Sequence, residues 1–229
     1  EPVKVYDSEL RGLDISSDGD VVVTGSFYNN LTLGDDELVN IYSPSIFISK
    51  IDKEGEFVWA IQTDKKKDVQ GNDVSIQSDG SILVTGSFWN SIKVNGQEIY
   101  VGGNGNDGDT FIWKVNSDGT TDWINSISTP GQDSPFGELQ VHKIDDGNIL
   151  SGRFQGEANF GGDLIVDTKN QEKLFITRIN DDGEFSWVKT FGPDRNDNSY
   201  LRSAASENLI YVSGIIRSDA NNSPIIDNY

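Results

Sequence analysis

Hydrophobic and polar residues alternate along most of this chain. From Phe47, the side chains of Phe47, Ser49 and Ile51 point one way and those of Ile48, Lys50 and Asp52 the other, the period of two of a β-strand. The strand then meets Lys53-Glu54-Gly55, and a second run of aromatic and branched residues follows, ending near Trp59. A tight turn suits that tripeptide, because glycine takes a positive φ without steric cost. The segment is therefore predicted to be a β-hairpin. No stretch of the chain sustains an apolar period of 3.6, so no helix is expected.

The hairpin recurs. FISKIDKEGEFVWA begins at Phe47, FIWKVNSDGTTDWI at Phe111 and FITRINDDGEFSWV at Phe175, two equal steps of 64 residues that Trp59, Trp123 and Trp187 repeat. A second block alternates with the first: ISSDGDVVVTGSF from Ile15, IQSDGSILVTGSF from Ile76, KIDDGNILSGRF from Lys143 and ENLIYVSGII from Glu207. Its glycines Gly25, Gly86, Gly152 and Gly214 lie 61, 66 and 62 residues apart. Asp18-Gly19, Asp79-Gly80 and Asp146-Gly147 mark its turns, and Glu207-Asn208 replaces the pair in the last copy. Two hairpins per period make a four-stranded antiparallel unit. A unit repeated at this spacing predicts an all-β chain, a β-propeller of four-stranded blades, because radial repetition leaves only short sheet edges. A parallel β-helix has much shorter repeats, and an immunoglobulin-like sandwich needs about 100 residues. The units fall roughly at 7–63, 64–128 and 129–191 with a partial one at 192–229, forming one propeller domain or part of one.

The stretches Gly19–Phe27, Phe47–Ala60, Gly80–Phe88 and Phe111–Trp123 resemble the bacterial SBBP-type β-propeller repeat, in which a G-x-x-x-V-T-G-S-F strand precedes an F-x-x-K-x-D-x-x-G-x-x-x-W-A hairpin. The third unit departs from that pattern at Ser151-Gly152-Arg153 and the fourth at Ser213-Gly214-Ile215. The resemblance implies a secreted or surface-attached bacterial protein and no defined activity. The Asp-box of sialidase-like propellers fits less well. Its aromatic stands three residues after the turn glycine, whereas Trp59, Trp123 and Trp187 each stand four after theirs, and one residue of slip reverses a strand's faces.

Composition narrows the function. The 229 residues carry 37 acidic and 18 basic side chains, a net charge of −19, which excludes a general nucleic-acid binder. Hydrophobic residues make up 35% of the chain, enough for a core, yet no apolar run approaches the length of a membrane span. With no cysteine there are no disulfides, thiol nucleophiles or thiolate metal sites. A chain that opens at Glu1 and lacks methionine reads as a processed product or an excerpt. Its closing half-unit has no counterpart of the Phe-and-Trp hairpin. Further propeller repeats beyond Tyr229 and ahead of Glu1, or a partner chain completing the last blade, are therefore expected.

Several residues are candidates for chemistry. The recurring Phe47, Phe111, Phe175 and the three tryptophans read as inter-blade packing, since a shared role explains a shared register. Trp89 and Trp113 do not recur, having Tyr28 and Ser49 as equivalents, and are ligand candidates; Arg153, where the repeat has Ser26 and Ser87, is another, and Arg217 is a weaker one. The glycine-rich loop Gly102–Asp109 approaches a calcium-binding nonapeptide, making Asn104, Asp107 and Asp109 candidate calcium ligands. His142, the only histidine, falls in the column of Asp14 and Ser75 and reads as solvated, without a metal set or serine motif around it. Lys65-Lys66-Lys67 reads as a solvated loop. No catalytic residue and no firm cofactor emerge.

The expectation is a non-catalytic propeller module of an extracellular or cell-surface bacterial protein. It would serve binding, adhesion or spacing, with a protein or glycan partner at the blade loops. The alternatives are a glycosidase or lyase on the same scaffold and a calcium-dependent adhesin.

Overall fold

The computed structural model describes residues 8–64, 69–100, 108–129, 139–192, 200–206 and 209–215. Strands β1 (Glu9–Ile15), β2 (Val21–Leu33), β3 (Asp36–Ile51) and β4 (Phe57–Gln62) pair antiparallel in chain order. After β5 (Val69–Ile76) and β6 (Ile82–Trp89), a separate hairpin of β7 (Ser91–Val94) and β8 (Gln97–Tyr100) precedes β9 (Gly108–Val115) and β10 (Thr121–Ile127). The second sheet runs β5-β6-β9-β10. The third holds β11 (Gln140–Ile144), β12 (Gly147–Asn159), β13 (Ile165–Ile179) and β14 (Phe185–Phe191). Finally, β15 (Tyr200–Ser206) and β16 (Leu209–Ile215) pair with each other.

The predicted turns form as the sequence dictates. Gly19, Gly55, Gly80, Gly119, Gly147 and Gly183 all have φ between 81° and 96°, a region open to glycine and costly for other residues. Their neighbouring carboxylates close the loop: Asp79 accepts from the backbone N–H and hydroxyl of Ser81, and Asp118 accepts from the same groups of Thr120. Within each sheet the first–second and third–fourth strand turns lie at one end, where a Cβ on Gly80 would stand 3.4 Å from Ser117. The second–third connections therefore extend from the other end, and β2 with β3 continues there into a long hairpin.

Sheets meet face to face through their alternating apolar positions. Val22, Ile46 and Ile48 of the first sheet form one buried layer with Val74, Val84, Phe88 and Phe111 of the second. In the same register, Leu83, Ile112 and Ile127 of the second sheet meet Val141, Leu150, Phe154 and Phe175 of the third. The contacts converge on first strands, with β1 beside β5, β5 beside β11, and β11 beside β15. Such wedges, tied at their inner strands, are the blades of a β-propeller.

The recurring glycine of the second sequence block has a steric cause. A Cβ on Gly86 would lie 2.1 Å from the Gln70 carbonyl oxygen and 2.4 Å from the Phe111 ring; on Gly25, 1.9 Å from the Glu9 oxygen and 2.9 Å from Phe47. Beside each of these glycines the first strand shifts register, between Leu10 and Gly12 and between Gly71 and Asp73. Only a residue without a side chain leaves room for the carbonyl and for the ring.

The tryptophans differ from expectation in one respect. They occupy equivalent positions, but β4, β10 and β14 are the outermost strands, so all three are half-buried rather than core. Trp59 packs against the first inter-blade layer and Trp123 against the second. The Trp59 indole N–H donates to the Ser117 carbonyl at 3.1 Å and that of Trp123 to the Asp181 carbonyl at 3.1 Å. Each ring lies over the turn glycine of the next blade, Gly119 or Gly183, whose added Cβ would meet it at 3.1 or 3.2 Å. The Asn125 amide adds a bond to the Gly183 carbonyl. Trp59→Ala and Trp123→Ala should each cost on the order of 2 kcal/mol in chemical denaturation, combining partial burial with a lost hydrogen bond. A cost near zero at either site would contradict an inter-blade role.

Candidate functional site

The innermost strands bring together polar residues that lie far apart in sequence. Strand pairing places Asp14 opposite Val22, Ser75 opposite Leu83 and His142 opposite Ile149, one column across three blades. In the neighbouring column, Asp73 pairs with Thr85 and Gln140 with Ser151. A first strand has a partner on one side only, and its other backbone edge needs hydrogen-bond partners. These side chains supply them. Asp14 accepts from the Ile76 N–H at 2.7 Å, Asp73 from the Val141 N–H at 3.0 Å and Gln140 Oε1 from the Ser203 N–H at 2.8 Å. Each bond joins one blade to the next. A second tie is the reciprocal amide pair of Gln77 and Asn148, at 3.0 and 3.1 Å.

His142 is not solvated as its sequence position suggests. Its ring is partly buried, and Nε2 stands 2.9 Å from Ser203 Oγ, which is in turn 2.5 Å from Ser151 Oγ. Burial holds the Asp73 carboxyl above its ordinary range; the Val141 and Val74 N–H groups and the charge of His142 oppose that, and Asp14 reinforces it. The cluster thus contains a histidine–serine contact and the carboxylates of Asp14 and Asp73. Sequence reading missed Ser203, which stands 61 residues after His142 in a unit whose turn pair has degenerated; the column positions were the only signal.

The candidates named from sequence do not converge. Trp113 is 1% exposed inside the first inter-blade layer, and its N–H donates to Thr121 Oγ1 at 3.2 Å. Such a ring presents no face to a solute. Trp89 ends β6 opposite Gly108 and is partly buried. Arg153, also half-buried, forms an ion pair with Glu172 at 3.2 Å. Asp109 is fully buried and accepts from the N–H of Thr129 at 2.9 Å and from its hydroxyl at 3.3 Å. Asn104, Asp107, Arg217 and the run Lys65-Lys66-Lys67 lie outside the described residues. Among the described residues, no three histidine or acidic side chains gather as a metal set, and no helix is long and apolar enough to cross a membrane.

The blades and their axial ties define a β-propeller, and one comparison with known families agrees. Residues 77–98, from the turn after β5 through β6 and β7 into β8, are similar to a β-propeller domain of unknown function (DUF5122). No curated protein matches the chain.

Two outcomes test this account. Because the folded-state pKa of Asp73 is raised, its contribution to stability is fully present below the ordinary carboxylate value and is lost as pH climbs through the raised one. Asp73→Asn, which keeps an acceptor for Val141, should therefore gain on the parent protein between pH 3 and neutrality in urea titrations. A stability of Asp73→Asn relative to the parent that stays level or falls over that window would refute the burial effect. Millimolar calcium should leave the melting temperature unchanged, since the Asp109 carboxylate is already bound to Thr129. A calcium-dependent rise that Asp109→Asn removes would restore the loop as a metal site.

Proposed function

We propose that this chain is a non-catalytic propeller module of a secreted or cell-surface bacterial protein, of the SBBP type, that meets a protein or glycan partner through its blade loops. The observation that carries this reading is the use of polar side chains. The described side chains most suited to chemistry, Asp14, Asp73, Asp109, Arg153 and His142, are bonded to other parts of the same fold. What varies from blade to blade is the set of second–third strand connections at one end: the β2–β3 hairpin, the β7–β8 hairpin and the loop from β12 to β13. They carry acidic Asp35, Glu37, Glu157 and Asp163, with Tyr100 among the most exposed aromatics. Variation on a constant scaffold is the pattern of a binding rim. The acidity favours a partner with cationic groups, whose association would weaken with salt.

A glycan-active enzyme is the second reading, favoured by one observation. Asp73 and Asp14 lie close enough to influence each other, and the former is held toward its protonated form. Glycosidic cleavage uses a carboxyl able to donate a proton, with a second carboxyl near it. In screening against a panel of polysaccharides, the binding-module reading expects no turnover. Hydrolysis that persists through repurification and is lost in both Asp73→Asn and Asp14→Asn, with folding intact, would reverse the order of the two.

A further inference from the structure

Each blade has one flank toward its predecessor and one toward its successor, and the first blade shows what its predecessor flank is built to hold. Leu13, Val74 and Val141 occupy the same register column, opposite Val23, Val84 and Leu150. Val74 and Val141 are 3% and 2% exposed because a preceding blade covers them, whereas Leu13 is 52% exposed. Leu10 and Ile15 on the same strand are likewise exposed. Beneath them, Val23, Phe27, Leu38 and Phe47 form half of an inter-blade layer, shielded so far by Leu31 and Leu33 of the blade's own hairpin. At the outer edge, Gly119 and Gly183 lie under the tryptophans of the preceding blades, while a Cβ on Gly55, with the same φ near 90°, would meet nothing within 4 Å.

We propose that this flank is a docking face for a further blade of the same repeat, seated with its outermost-strand tryptophan over Gly55 and its indole N–H on the Lys53 carbonyl. The occupant follows from continuity with two existing interfaces. The flank repeats their apolar column, their glycine-bared turn and their turn carbonyl, so it is complementary to the partner those interfaces already hold. A second copy of the chain fits less well. Its own successor flank, where Tyr211 is 58% exposed in a column whose other members Val22, Leu83 and Ile149 are 1% exposed, presents among the described residues the inner strands β15 and β16. That surface brings no outer-strand tryptophan to Gly55.

The test is to extend the full chain at its N-terminus with one more copy of residues 64–128, the unit that carries Trp123. The added blade should raise the melting temperature by at least about 5 °C in one cooperative transition. Its tryptophan should be as shielded from acrylamide quenching as Trp59. Leu13→Asp in the extended protein should remove the gain, while the same change in the parent chain should leave its melting within about one degree, because the position is solvated there. Replacing the added unit's tryptophan by alanine should reduce the gain without unfolding the rest. The proposal is overturned if the added unit melts separately, or if the gain survives Leu13→Asp. It is also overturned if the parent alone runs at twice its 25.2 kDa and returns to monomer on Leu13→Asp, since a second copy would then be the occupant.

Discussion

The apolar layer between successive blades is the interaction on which everything else in this molecule depends. A twisted four-stranded antiparallel sheet with both faces apolar cannot be stable alone, since one face would always remain wet. Here both faces are apolar: Ile48 and its equivalents look forward, Phe47 and its equivalents look back. Burial therefore requires a neighbour on each side, and the neighbour must present the opposite half of the same pattern. Repetition of one sequence unit is the economical way to satisfy that demand. Within the third blade, Phe154, Phe160 and Phe175 pack edge-on with ring centres 5.4–6.1 Å apart, as part of the layer shared with the second blade.

Polar groups then fix the angle and register that the apolar layer leaves free. At the rim of the first two blades, a tryptophan hydrogen-bonds to the next blade's turn; near the axis, a carboxylate or amide from one first strand binds a backbone N–H of the next. The two sets act at opposite ends of the radius, so together they resist both splaying and sliding of adjacent blades. Hydrogen bonds contribute little net energy individually but are costly to leave unmade in a buried setting, which makes them better at specifying an arrangement than at driving it. The raised pKa of Asp73 records the cost of using a carboxylate for this purpose in a partly desolvated place.

Much of the fold was legible in the sequence because its causes are local. The Asp-Gly pairs announce turns through φ, alternation announces strands, and the step between Phe47, Phe111 and Phe175 announces a common packing role that the structure places at equivalent buried positions. Exposure of the tryptophans was not legible. Whether a strand is innermost or outermost depends on sheet order, and the spacing of Trp59, Trp123 and Trp187 is the same in either case. His142 was misread for a related reason. Its solvation depends on what the next blade places beside it, and the residue in question, Ser203, sits in a unit where Glu207-Asn208 has replaced the turn signature. Trp113 illustrates the reverse case. Its failure to recur suggested a ligand role, but it fills the layer where the first blade has the small Ser49, so departure from the repeat marked a difference in packing volume.

That last case bears on how function is to be sought in such a molecule. In a repeat fold, a residue that breaks the pattern is a natural suspect, yet the interfaces here accommodate residues of unlike size whose polar atoms find a partner. Ser49 bonds to the Trp59 carbonyl, and Thr177, at its place in the third blade, bonds to that of Trp187. Trp113, at the same place in the second, turns its N–H to Thr121 and contributes bulk to the layer. Departure from the repeat is therefore weak evidence of a site unless the departing side chain is also unspent. By that criterion the axial cluster is a framework first, and its histidine and carboxylates are committed to neighbouring strands. The segments least committed to the framework are the connections opposite the tight turns, where chain length and charge vary while the blades beneath stay constant. Sequence can change there without disturbing the layers on which the fold depends.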